Sequence, residues 1–395
     1  MVKLQIKIMQ LIKIFTISLS FLITLSSCNE TDKNFKTFLF ELADVPEQNR
    51  QAVLDTWMNK VYEFPIVEDT LVYFIYRNEK DMPVFLTGDM NSWQKETLPL
   101  LRIIGTDYYY CEYHFPLDAR VEYKFIAGDQ FVNDPYNERR SGGGYGENSL
   151  LMMPDYEFPS EILAKRSVIY TKLDTAAFRQ NKTSPSYPFY FYRHDSSSNT
   201  SPLVVFTDGS DYINFAQAPT ILDNLIRDNK IPAINALFID PKDRMKEYWM
   251  DESFTTLLIE EILPFVRKEY QINPDNTYLG GVSLGGLFSL YALKNYSSEL
   301  AGVFSQSGAI WVDSLRILDE LKNADFSNVK LYYSYGSFEN QDSVHHRLNT
   351  FLTKKSARFS WDLFHEGHAW GSWKGHLDNA LIYLLNKRKS GQNAN

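Results

Sequence analysis

Ser283 lies in the run Thr277-Tyr-Leu-Gly-Gly-Val-Ser-Leu-Gly-Gly-Leu-Phe-Ser-Leu-Tyr291, with two glycines on either side of it. A serine hydroxyl becomes a nucleophile when a neighbouring base takes its proton and N–H groups face the oxyanion that forms. The pattern Gly281-Val282-Ser283-Leu284-Gly285 suits that chemistry if it joins a strand to a helix. The serine then takes a strained backbone conformation, and the residues beside it must be small. An apolar run ending near Leu279 reads as the strand, and Leu287 to Leu293 reads as the helix. A glycine-rich turn with an incidental serine is the plain alternative, and these flanking elements argue against it.

Such a serine needs a base and an acid that orients the base, in the chain order serine, acid, histidine. Of the histidines after Ser283, His345 and His346 fall within a predicted helix and His376 begins the last one. His368 lies in a loop after the last predicted strand, where the base is expected, with His365 as its competitor. Glu339 and Asp342 both follow the preceding strand; Glu339 is nearer the strand end and is preferred. Either carboxylate could instead be a solvated loop charge. The oxyanion donors expected are the N–H of Leu284 and one from Gly209 or Ser210, in the loop Asp208-Gly209-Ser210-Asp211 after an early strand.

From about Pro159 onward, apolar strands alternate with helices. The strands include Ser167 to Thr171, Pro202 to Thr207, Ile234 to Ile239, Gly302 to Ser305 and Val329 to Ser334. This alternation predicts a mostly parallel sheet covered on both faces, with its site in loops at the carboxyl ends of the strands. Residues 61–155 read differently, as short strands separated by turns, which predicts a small antiparallel sandwich. Trp93 and nearby tyrosines could stack on a glycan there, or the module could be structural and shape the rim of the site. The glycine-rich stretch 137–149 lacks the context of a phosphate-binding loop and reads as a flexible loop.

With 44% hydrophobic and 15% aromatic residues, the 395-residue chain can bury a large core. A net charge of -9 argues against nucleic acid as a partner. Two cysteines, Cys28 and Cys111, provide neither a disulfide framework nor a cysteine zinc site. Residues 1–27 combine three lysines, an apolar run from Ile14 to Leu25 and small residues before Cys28, as a signal peptide does. Leu25-Ser26-Ser27-Cys28 resembles a bacterial lipobox, which implies lipidation of Cys28. A membrane anchor or an ordinary secretory signal are the alternatives. The expected location is the periplasm or cell surface of a bacterium, tethered by lipid.

Gly88-Asp89-Met90-Asn91-Ser92-Trp93, Asp134-Pro135-Tyr136-Asn137 and Asn148-Ser149-Leu150 resemble the immunoglobulin-like early-set domain of glycogen-branching enzymes and the N-terminal domain of enterochelin-esterase-like proteins. The order of Asp208-Gly209, Arg244 with Glu247, Gly280 to Gly286, Ser305-Gln-Ser-Gly308 with Trp311, Gly336 with Glu339, and Gly367-His368 with Trp373 resembles the esterase family of α/β-hydrolases. Within that family the likeness is strongest to enterochelin (ferric siderophore) esterases. The resemblance implies Ser283 as nucleophile, His368 as base and Glu339 as acid, with no metal or organic cofactor.

The expected organisation is a lipoprotein signal peptide (1–27), a helical segment (28–60), an all-β immunoglobulin-like sandwich (61–155) and an α/β-hydrolase domain (156–395). Asp208, Arg244, Glu247, Trp311, Trp370 and Trp373 are candidate substrate contacts, although Arg244 and Glu247 could equally brace a loop as an ion pair. The substrate class is a small-molecule or glycan-linked ester. A feruloyl or acetyl-xylan esterase is the alternative activity, and a glycan-binding surface lipoprotein with an inert hydrolase domain is the alternative of another class.

Overall fold

The computed structural model describes residues 34–80, 82–144, 146–163 and 173–386. The expected signal peptide, Cys28 and the strand Ser167 to Thr171 lie outside these residues. Close contacts divide the chain into two units. One holds residues up to 82 together with 100–114, and the other holds 83–99 and everything from 115 onward.

Strands are numbered along the chain. The first are β1 (Ile66–Glu68), β2 (Leu71–Arg77), β3 (Val84–Gly88), β4 (Leu98–Pro99), β5 (Leu101–Arg102) and β6 (Tyr108–His114). Then come β7 (Arg120–Ala127), β8 (Gln130–Val132), β9 (Arg140–Gly143) and β10 (Gly146–Met152). The last eight are β11 (Leu173–Phe178), β12 (Tyr187–Arg193), β13 (Leu203–Thr207), β14 (Asn235–Ile239), β15 (Thr277–Val282), β16 (Gly302–Gln306), β17 (Lys330–Gly336) and β18 (Arg358–Phe364).

In the first unit, an antiparallel sheet of order β1-β2-β6-β5 accompanies the helices Phe35–Ala43 and Glu47–Met58. Asn34 caps the first helix by accepting a hydrogen bond from the N–H of Thr37. Phe35 and Phe38 pack their rings on Trp57 of the second helix, with centroids 5.2 and 4.6 Å apart.

The second unit contains two sheets. One is antiparallel, of order β4-β3-β7-β10-β9, with β8 paired to β7. Thus the strands expected as one sandwich contribute to both units. The glycine-rich stretch read as a flexible loop forms much of the β9–β10 hairpin, in which Ser141 pairs with Asn148 and Gly143 with Gly146. Ladder hydrogen bonds use only the backbone, so glycines can make them with no side-chain pattern to announce the strand.

The other sheet has the order β11-β12-β14-β13-β15-β16-β17-β18 and is parallel from β14 to β18. Alternate residues point to opposite faces. Val205, Leu237, Leu279, Val303 and Leu331 enter one buried cluster, and Val204, Phe206, Ala236, Phe238, Phe304 and Tyr332 enter the other. Burial on both faces explains why these strands read as unbroken apolar runs. Burying each valine, leucine or phenylalanine among them contributes about 1.5–3 kcal/mol, so this sheet is the rigid platform whose carboxyl ends carry the site.

Candidate active site

β15 ends at Val282, and the helix Leu284–Tyr296 begins two residues later. Ser283 between them has φ 55° and ψ -120°, a left-handed conformation that costs a non-glycine residue energy. The close approach of Thr207, at the end of β13, explains the glycines beside it. A Cβ at Gly281 would lie 1.9 Å from the Thr207 hydroxyl oxygen, and one at Gly285 would lie 2.3 Å from it. The backbone of Ser283 is held between strands, its N–H donating to the Gln306 carbonyl at 2.9 Å.

The structure brings Ser283, His368 and Glu339 together. His368 Nδ1 is 2.9 Å from Glu339 Oε2, and His368 Nε2 is 3.1 Å from Ser283 Oγ. An ionised carboxylate can only accept, so Nδ1 carries the hydrogen, and the Nε2 lone pair accepts from the serine hydroxyl. Glu339 lies in a short turn after β17, and Asp342, its rival, begins the following helix Asp342–Lys354. Burial by itself pushes the Glu339 carboxyl up. Hydrogen bonds from His368, Ser307 and the Gly336 N–H, with the charge of His368, outweigh that and hold it below the ordinary glutamate range. His365 turns elsewhere, with Nδ1 2.6 Å from Asp118 Oδ1.

One partner of Glu339, Ser307, was not singled out from the sequence, and Trp373, expected as a substrate contact, supports it from behind. Ser307 Oγ–H donates to Glu339 Oε1 at 2.6 Å, and Trp373 Nε1–H donates to Ser307 Oγ at 2.8 Å. Ser305-Gln-Ser-Gly308 entered the sequence reading only as a matching stretch. Its position just after β16 was the available signal. Trp373 also stands edge-on to the His368 ring, with centroids 4.9 Å apart.

Leu284 and Gly209 each begin a helix, so neither N–H has a carbonyl to reach within its own helix. Ser210 differs, because its N–H donates to Asp240 Oδ1 at 2.8 Å and is already committed. Asp208 is buried and grips Arg244 with both oxygens, at 2.8 Å from Nε and 2.8 Å from Nη2. Arg244 thus pairs with Asp208. Glu247 accepts from the Tyr187 hydroxyl at 3.0 Å and the Lys242 N–H at 2.8 Å, as a buried brace.

A cavity of about 800 Å³ opens over Ser283 and His368. Asp211, Arg244, Trp370 and Trp373 line it from the large-sheet side, and Trp93, Glu122, Lys124, Phe131 and Asn148 from the antiparallel sheet. Asp208, Glu247 and Trp311 do not line it. Their side chains are spent on Arg244, on Tyr187 and on solvent respectively, Trp311 being 52% exposed. Among the described residues no group of three or more His, Cys, Asp or Glu side chains is arranged to hold a metal ion.

Residues 181–384 match the family model described as "Putative esterase". The iron(III) enterobactin esterase of Escherichia coli K12 is 26% identical over 197 residues, which is 46% of this chain and 47% of that enzyme. The chain thus spans about half the length of that relative. Ferric enterobactin esterase from Salmonella typhimurium superposes with a TM-score of 0.69 at 21% identity, covering 84% of this chain and 98% of that one. The Shigella flexneri enterobactin esterase, crystallised in the presence of enterobactin, gives 0.68 at 21% identity, covering 84% and 97%. At this identity the two structures show the shared α/β-hydrolase fold.

Proposed function

The chain belongs to the Putative esterase family, that of carboxylic ester hydrolases, and on that premise we propose that Ser283, His368 and Glu339 form its catalytic triad. The observation that carries this reading is the unbroken chain of hydrogen bonds from Glu339 through His368 to Ser283, beneath the cavity. Ser283 Oγ attacks the ester carbonyl carbon while its proton passes to His368 Nε2. Glu339 holds the imidazolium through Nδ1. The N–H groups of Leu284 and Gly209 face the tetrahedral oxyanion. His368 returns the proton to the departing alkoxide as the C–O bond breaks. Water, deprotonated by His368, then cleaves the acyl-enzyme and frees Ser283.

The substrate proposed is an ester of the siderophore class, a catecholate lactone of the kind implied by the names of the enterobactin esterases. Trp93, Phe131 and Trp370 provide apolar faces for aromatic acyl groups. The leader and Cys28, read from sequence alone, extend the proposal to a lipid-tethered enzyme outside the cytoplasm.

A fluorophosphonate probe and a panel of p-nitrophenyl acetate, methyl ferulate and a ferric catecholate lactone test the reading. Labelling that vanishes in Ser283→Ala, with turnover fastest on the lactone, is the expected result. Labelling that survives the substitution sinks the nucleophile, and preference for methyl ferulate sinks the substrate class.

A further inference from the structure

The segment His365–Trp373 carries His368 near its middle, and the antiparallel sheet grips it on both sides of that residue. The Arg120 N–H, at the start of β7, donates to the His365 carbonyl at 3.0 Å. The Arg120 guanidinium is 6% exposed and donates through Nη2 to Glu122 Oε1 at 3.0 Å and Ser141 Oγ at 2.7 Å. Its Nη1 points at Glu366 Oε2, 3.8 Å away. The other Glu366 oxygen is 2.6 Å from His376 Nε2, and the Glu366 carbonyl accepts from the Phe338 N–H, next to Glu339.

Two glycines on this segment lie where the sheet presses closest. A Cβ at Gly371 would fall 1.9 Å from Arg120 Nη2, and one at Gly367 would fall 2.2 Å from Asp89 Cγ. Asp89 is fixed in turn, accepting from Trp93 Nε1–H at 3.1 Å and from the Glu122 N–H at 2.8 Å. None of these contacts touches the reacting atoms. They land on residues 365, 366, 367 and 371, bracketing the imidazole that has to meet both Ser283 and Glu339.

We propose that Arg120 is a positioning residue for His368. Its backbone N–H anchors His365 whatever the side chain; its guanidinium, set against Gly371 and facing Glu366 as an ion partner, holds the imidazole in register between Ser283 and Glu339, with Asp89 as the second point of the clamp. This inference rests on His368 being the base. Mere cohesion between the two sheets would need no particular placement, whereas a shift of about 1 Å at Nε2 breaks the bond to Ser283 and can cost about 100-fold in rate.

The test compares Arg120→Met, Arg120→Lys and His368→Ala on p-nitrophenyl acetate, with active sites titrated by fluorophosphonate. Arg120→Met is expected to lower kcat per titrated site by about 100-fold, with KM changed by less than about threefold. Arg120→Lys, which keeps the charge but loses the fork, should recover part of that loss. If Arg120→Met does not fold, a fall of about tenfold in Arg120→Lys supports the proposal and an unchanged kcat overturns it. A kcat per site that stays at the wild-type value in Arg120→Met, whatever happens to Tm, also overturns it. If His368→Ala retains turnover, the base assignment fails and takes this proposal with it. Loss in His368→Ala with none in Arg120→Met sinks this proposal alone.

Discussion

The two halves of the site, the elbow at Ser283 and the segment around His368, are held in different ways. The elbow is set by its own backbone, with glycines that let Thr207 approach and a strand and helix that continue directly on each side. The histidine segment has no regular element of its own until Trp370, and it takes its position from Arg120, Asp89 and Glu339 on other elements. A nucleophile on an elbow is placed by local geometry. A base on a loop is placed by whatever packs around it, so its precision depends on distant parts of the chain.

The sharpest break falls on the elbow side. Ser283→Ala should lower kcat by about 10⁶-fold, since the other members of a triad cannot act without the nucleophile. Its urea midpoint should stay near the wild type, because only one hydroxyl is removed from a backbone that the flanking elements define. A collapse of stability would mean that the elbow is not self-sufficient and would blur the contrast.

On the other side, Glu339→Gln keeps the shape but offers a donor where His368 Nδ1–H needs an acceptor, and should cost about 10⁴-fold in kcat. The same substitution has a pH signature. Glu339 sits below its ordinary pKa in the folded protein despite burial, so its charged form stabilises the fold at neutral pH. That contribution is complete above the unfolded value of about 4.3 and is lost as pH falls through the lower folded value. Urea melts should therefore show wild type losing stability over that acid range, while Glu339→Gln lacks this component of the loss. Ser307→Ala removes one donor from the same carboxylate, and a loss of about tenfold in kcat is expected for one charge-assisted hydrogen bond.

How much the sequence disclosed follows the same division. The elbow was legible because its pattern and flanking elements are contiguous, and the run of strands and loops was enough to place Glu339 and His368 after successive strands. The large sheet was legible from its buried apolar runs. Ser307 was not singled out, because its partners Glu339 and Trp373 are 32 and 66 residues away and no local pattern joins them. Arg120 and Asp89 were hidden for the same reason, since an arginine at a strand start reads as surface charge until Glu366 is seen facing it. Asp208, Glu247 and Trp311 had residue types suited to a site, but side-chain direction is a tertiary property. Ser210 was an open choice against Gly209 until its N–H was found committed to Asp240. The β9–β10 hairpin was missed because glycine content signals freedom, whereas its pairing needs only backbone.

The smallest expected effect is the one that isolates the acid. Asp342 is three residues beyond Glu339 and opens the helix Asp342–Lys354, where a carboxylate at a helix N-terminus is worth about 0.3–1 kcal/mol to stability. Asp342→Asn keeps the size and loses only the charge in the helix's first turn, so kcat should stay within about twofold, with a loss of a few tenths of a kcal/mol in urea melts. Glu339→Gln and Asp342→Asn alter similar carboxylates on one short stretch, and only the first faces His368 Nδ1. If Asp342→Asn lost activity as deeply as Glu339→Gln, the stretch would act as a pooled negative field rather than through one aimed oxygen. The histidine would then need no exact register, and the contrast between a locally built nucleophile and a remotely clamped base would fail with it.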